Sequence, residues 1–204
     1  LPELERDLAV AWYYGLVDYN PAKLIAAYRS ALALDPDNTI ALNNLAGQLS
    51  AERRWAEAET LATRATQVDS SGFYYDNLIE AKIGLGHLAD ARATADQWEK
   101  VAPAPFLNFH RAAIAASEGD YAGSERYLHA LQRAAQGSPG LQALAAELLA
   151  RASERRGKLA EATQHIRDEM ELEEARGLPQ EYLNAAANLA EFEISYRSRP
   201  AAGG

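Results

Sequence analysis

Glu52-Arg53-Arg54-Trp55-Ala56-Glu57-Ala58 is one of four spellings of a single phrase in this chain. The others are Leu85-Gly86-His87-Leu88-Ala89-Asp90-Ala91, Glu118-Gly119-Asp120-Tyr121-Ala122-Gly123-Ser124 and Arg156-Gly157-Lys158-Leu159-Ala160-Glu161-Ala162. Each reads as a turn followed by the opening of a helix and closed by a small residue. The closing residues stand at 58, 91, 124 and 162, spaced 33, 33 and 38 apart. A period of about 34 residues, with a turn between two helical patterns, is the signature of helix pairs stacked one on the next. Gln136-Gly137-Ser138-Pro139-Gly140 takes up the longer last interval as a turn and restart.

Outward from these turns the apolar residues recur with a helical period. Leu42, Leu45, Ala46 and Leu49 mark one face, and Ala58, Leu61, Ala62, Ala65 and Val68 mark the next. Asp35-Pro36-Asp37-Asn38, Asp69-Ser70-Ser71-Gly72 and Ala102-Pro103-Ala104-Pro105 separate the repeats. The pattern predicts eleven helices, at 3–18, 22–34, 39–51, 55–68, 73–84, 88–101, 105–118, 121–135, 139–156, 159–176 and 179–197. No alternating β-branched run predicts a strand. The fold class expected is all-α, a right-handed superhelical solenoid of about five helix pairs.

Composition narrows the function. The chain has 204 residues, of which 48% are hydrophobic, 24% charged and only 8% aromatic. About a fifth are alanine, which favours helices packed closely through small side chains. Zero cysteines exclude a disulfide framework, a thiolate metal site and a cysteine nucleophile. A net charge of −9 argues against nucleic acid or anionic lipid as the main partner. No apolar run approaches the roughly 18 residues that span a bilayer, so no membrane insertion is expected. Neither a signal peptide nor an initiator methionine is visible, and the one methionine is Met170. The chain reads as an excised piece of something longer, with a cytoplasmic location expected.

The repeats resemble the tetratricopeptide repeat. In the second repeat, starting at Thr39, Leu42, Leu45, Ala46, Ala58 and Ala65 fall on its large and small positions. In the third, starting at Gly72, Tyr75, Leu78, Ala91 and Pro103 match, but Trp98 stands where a small residue belongs. Trp98 therefore needs space from its neighbours, for which Ala112, Ala113, Ala115 and Ala116 offer a recess, and it reads as core between repeats. The fourth repeat is degenerate, with Arg111, Leu131 and Gln136 at pattern positions, whereas the fifth keeps Leu149, Ala150, Gly157 and Ala162. The resemblance implies a single domain over 1–197. Its repeats fall at about 3–38, 39–71, 72–104, 105–138 and 139–178, with a capping helix 179–197 and a disordered tail 198–204. Glu5-Arg6-Asp7-Leu8, Ala11-Trp12-Tyr13-Tyr14 and Ala41-Leu42-Asn43-Asn44-Leu45-Ala46 resemble the repeat region of bacterial multidomain regulators. There such arrays follow a Ser/Thr kinase or a winged-helix domain, which implies a regulatory or sensory role as the alternative function.

In this family the first helix of each pair lines the concave groove where ligands bind. The equivalent positions here are Ile40, Phe73 and Phe106, then Asn43, Asp76 and Phe109. Asn44, Asn77 and His110 form a third row, and Gly47 and Glu80 a fourth. A carboxamide both donates to and accepts from one peptide unit, so an asparagine row suits an extended protein or peptide partner. The same residues could instead solvate the groove or tie adjacent helices together. No cation stands among them, which argues against a clamp for a terminal carboxylate, and the acidic Asp76 and Glu80 imply a neutral or basic partner. The acidic run Asp168–Glu174 could attract a basic partner, but reads first as a solvated helix face. Glu125/His129 and Glu161/His165 have i,i+4 spacing without the density of a metal site, and Gly84-Leu85-Gly86 reads as a helix-ending turn. No catalytic constellation is present, so the chain reads as a non-enzyme that needs no cofactor or metal.

Overall fold

The computed structural model describes residues 2–102 and 105–197. It contains α1 (Glu3–Leu16), α2 (Pro21–Leu34), α3 (Thr39–Ala51), α4 (Trp55–Val68), α5 (Tyr75–Gly84) and α6 (Leu88–Val101). These are followed by α7 (Leu107–Ser117), α8 (Tyr121–Ala134), α9 (Pro139–Arg155), α10 (Leu159–Arg176) and α11 (Pro179–Arg197). There is no strand among the described residues. Pro103 and the tail 198–204, both given roles by the sequence, lie outside the described residues.

Each helix ends where its chemistry ends it. Pro21 and Pro139 open α2 and α9, where their missing N–H groups are orphans in any case. Asn20, Asn38 and Asp120 accept hydrogen bonds from the backbone N–H of Lys23, Ala41 and Gly123, capping α2, α3 and α8. From the second pair onward, the turn within each helix pair passes through one left-handed residue. It is Gly86 (φ 76°), Gly119 (φ 81°) and Gly157 (φ 73°), but Arg53 (φ 59°) in the second repeat.

Three predicted boundaries shift by two residues, and four others by one. Helix α1 stops at Leu16 because Val17 N and Asp18 N both turn back onto Tyr13 O, at 2.9 and 3.1 Å. The Gly72–Tyr74 segment tightens into a 3-10 turn before α5 begins. Helix α7 starts at Leu107, two residues later than expected.

The chain divides into two compact units, Leu1–His110 and Arg111–Gly204, the division falling within α7. In the first, α1 packs on α2, α3 on α4, α5 on α6, and α3 also meets α5. Its core joins Leu24, Tyr28, Leu45 and Leu49 to alanines at the helix crossings. Ala58 and Ala91, predicted at the close approach of paired helices, are fully buried. Trp98 is buried as well, stacked 6.5 Å from Tyr75 and 5.6 Å from the His110 ring. Gly72 opens part of the space it needs, since a Cβ there would lie 2.5 Å from Trp98 Nε1. In the second unit, α8 packs on α9, α9 on α10 and α10 on α11. Ala112, Leu128 and Leu149 share a core there. The buried Glu125 carboxylate is held by Arg156 and by Lys158 Nζ at 3.0 Å.

Candidate functional site

The groove residues named from sequence all lie in the first unit, on α3, α5 and the stretch from Phe106 to His110. The two asparagine rows are tied into the helix packing. Asn77 Nδ2 donates to Asn43 O at 3.0 Å and to Asn43 Oδ1 at 2.9 Å, joining α5 to α3. Asn44 Nδ2 donates to the Tyr28 hydroxyl at 3.0 Å, joining α3 to α2. Burial pushes the Tyr28 hydroxyl above its ordinary pKa, and the Asn44 bond offsets part of that rise. Gly47 belongs to the same arrangement, because a Cβ there would come within 3.2 Å of Asn77 Oδ1. Asn43 and Asn77 thus link the first helices α3 and α5, with Gly47 packed beside them, and Asn44 links α3 to the second helix α2.

The apolar row divides. Ile40 and Phe73 are 55% and 72% exposed, and the Tyr74 hydroxyl donates to Thr39 Oγ1 at 3.0 Å between them. Phe106 and Phe109 are half-buried, stacked at 5.0 Å, and both meet His110 edge-on. His110 is itself buried against Trp98, with Nε2 2.5 Å from Asp76 Oδ1 but without hydrogen-bond geometry. Desolvation pushes the Glu80 carboxyl above its ordinary range, reinforced by Asp76 and opposed by His110. Two carboxylates one helical turn apart therefore stand beside an aromatic cluster, and Phe73 projects from the 3-10 turn just before the same helix.

Other groups singled out from sequence have structural employment. Gly84 seats the Trp55 indole, which a Cβ would overlap, and Gly86 makes the turn that follows. The His129 and His165 rings are 6.2 Å apart, and no cluster able to hold a metal occurs among the described residues. The acidic run is only partly a solvated face. Glu173 is buried and accepts from Arg176 at 2.7 Å through both oxygens, while Glu169 is half-buried. Glu169 faces a cavity that the sequence reading missed, because its walls come from three helices with no shared motif.

The class defined by this architecture is the tetratricopeptide-repeat fold. The structure is similar to a thermophilic TPR protein of Thermus thermophilus, with a TM-score of 0.72 and 19% identity over 90% of this chain and 99% of that one. It is similar also to PilW, described as a type IV pilus biogenesis factor, with a TM-score of 0.67 and 18% identity over 98% and 96%. A chain of the APC/C hetero-tetramer Cut9–Hcn1 superposes with a TM-score of 0.73 and 16% identity, over 97% of this chain and 41% of that one. The sequence matches no family model and no curated protein. Among the described residues no helix is long and apolar enough to cross a membrane.

Proposed function

We propose that the chain is a non-catalytic scaffold that holds an extended protein segment along α3, α5 and the start of α7, in the concave groove such arrays form. The observation carrying this is the exposure of Ile40 and Phe73 at equivalent repeat positions. Large apolar side chains that the core does not use are free to anchor a partner. Asp76 and Glu80, next along α5, favour a neutral or basic segment over an acidic one. Because the asparagines already tie helices, they support the groove, and Asn77 Oδ1 is what remains to accept from a bound peptide N–H.

The test begins with a partner captured by pull-down and reduced to a peptide by mapping. Phe73→Ala and Phe106→Ala should each weaken that peptide about tenfold or more, with melting unchanged for Phe73→Ala. Unchanged affinity in both would remove this face from the account.

A further inference from the structure

The second unit holds a cavity of about 440 Å³ between α9, α10 and α11, within the size range of ligand pockets. Four carboxylates line it: Glu147 and Glu154 from α9, Glu169 from α10 and Glu191 from α11. The one cation among the described lining residues is Arg151, whose Nη2 lies 2.5 Å from Glu147. Glu169 and Glu191 accept no hydrogen bond from a described residue. One wall is aromatic, with the Phe192 and Tyr196 rings 4.6 Å apart, and the Tyr196 hydroxyl donates to Glu154 Oε1 at 2.9 Å. Ala150 and Ile166 add an apolar floor.

From this charge complementarity and this wall, we infer that the α9–α11 cavity binds an arginine side chain presented by a basic protein segment. The chemistry selects arginine on two counts. A guanidinium can offer its fork to two carboxylates while laying its face on a ring, which a lysine ammonium cannot do. Four carboxyl groups share the space with one cation, so a cationic ligand is the one whose charge the lining complements. The crowding is visible in Glu169, whose carboxyl is pushed up to about 7 by burial, by Glu147, by Glu173 and by Glu181, against the opposing pull of Arg151. Glu191 and Glu154 line the same space. An entering guanidinium would drive Glu169 to its charged form, so binding should release a proton near neutral pH. The inference does not rest on the α3–α5 groove, whose residues take no part in it.

The test uses the full chain and three acetylated probe peptides of alternating glycine with arginine, lysine or citrulline, read by calorimetry. The arginine probe should bind at least about threefold tighter than the lysine probe, and the citrulline probe should not bind. Arginine-probe affinity should rise about tenfold from pH 6 to pH 8, with a flat profile in Glu169→Gln. The pair Glu169→Gln/Glu191→Gln should lose about tenfold in affinity without melting lower. Compared at pH 8, where Glu169 is mostly ionised, a remote pair, Glu3→Gln/Glu5→Gln on α1, removes nearly equal charge and should lose less than about twofold. Equal binding of arginine and citrulline probes would overturn the inference on the unaltered protein alone. Equal losses in the two variant pairs would also overturn it, by showing general attraction to an acidic chain.

Discussion

At the scale of the residue, the turns make the sharpest statement. Gly86, Gly119 and Gly157 occupy a left-handed position that Arg53 also occupies, at φ 59°. A side chain there crowds the following carbonyl, whereas glycine is free of that cost but loses more freedom on folding. Arg53→Gly should therefore raise stability by up to about 1 kcal/mol, and Gly86→Ala should lower it by about 1 kcal/mol. Thermal melts followed by circular dichroism check both, and a lower melting temperature for Arg53→Gly would refute the strain. Asn77 is a second such residue. Losing its two bonds to Asn43 across α3 and α5 should cost about 1–2 kcal/mol in Asn77→Ala, so binding defects in that variant must be corrected for stability. Glu169 brings a pH signature. Its carboxyl is ordinary when unfolded and raised to about 7 when folded, so its contribution is present below about 4.5 and lost as pH rises through 7. Glu169→Gln should consequently match the parent at pH 4.5 and melt higher than it at pH 8. An equal melting temperature at both would show that the carboxyl is not crowded.

At the scale of the element, helix pairs close through small residues, and one pair closes through a large one. Ala58 and Ala91 are buried at the crossings, so Ala91→Leu should overpack α5 against α6 and cost about 1–3 kcal/mol. Trp98 departs from that rule and is accommodated by Gly72. Trp98→Ala should cost about 3–5 kcal/mol through the cavity left among Tyr75 and His110. Gly72→Ala should cost about 1–3 kcal/mol, because its Cβ would reach both Trp98 Nε1 and Ala102 Cβ at 2.5 Å. Combined, the two losses should fall short of their sum, since removing the indole removes one of the clashes. Denaturant titration of the four proteins measures that coupling, and strict additivity would mean that Gly72 and Trp98 do not share the space.

At the scale of the whole molecule, the fold was legible in the sequence, whereas the contacts of the candidate groove residues were not. The recurring turn phrase and the buried small residue closing it are local, and stacking repeats them, so helix ends could be read to within a residue or two. What Asn44 and Asn77 do depends on which side chain faces them across a helix interface. Periodicity places both on the first-helix face and leaves Tyr28 and Asn43 unseen as their partners. The α9–α11 cavity is further out of reach, because Glu147, Glu169 and Glu191 lie on separate helices outside any repeated motif. Lys and Arg number 20 against 29 Asp and Glu, and the excess of nine negative charges sets up a field that would draw a basic segment, were one the partner, before contact. For a basic segment, raising salt from about 0.05 to 0.5 M should slow association roughly tenfold or more and leave dissociation nearly unchanged. A segment of the same length with uncharged side chains should associate at one rate throughout. Stopped-flow fluorescence separates the two rates, and an association rate indifferent to salt for the basic segment would mean that the net charge plays no part in recognition.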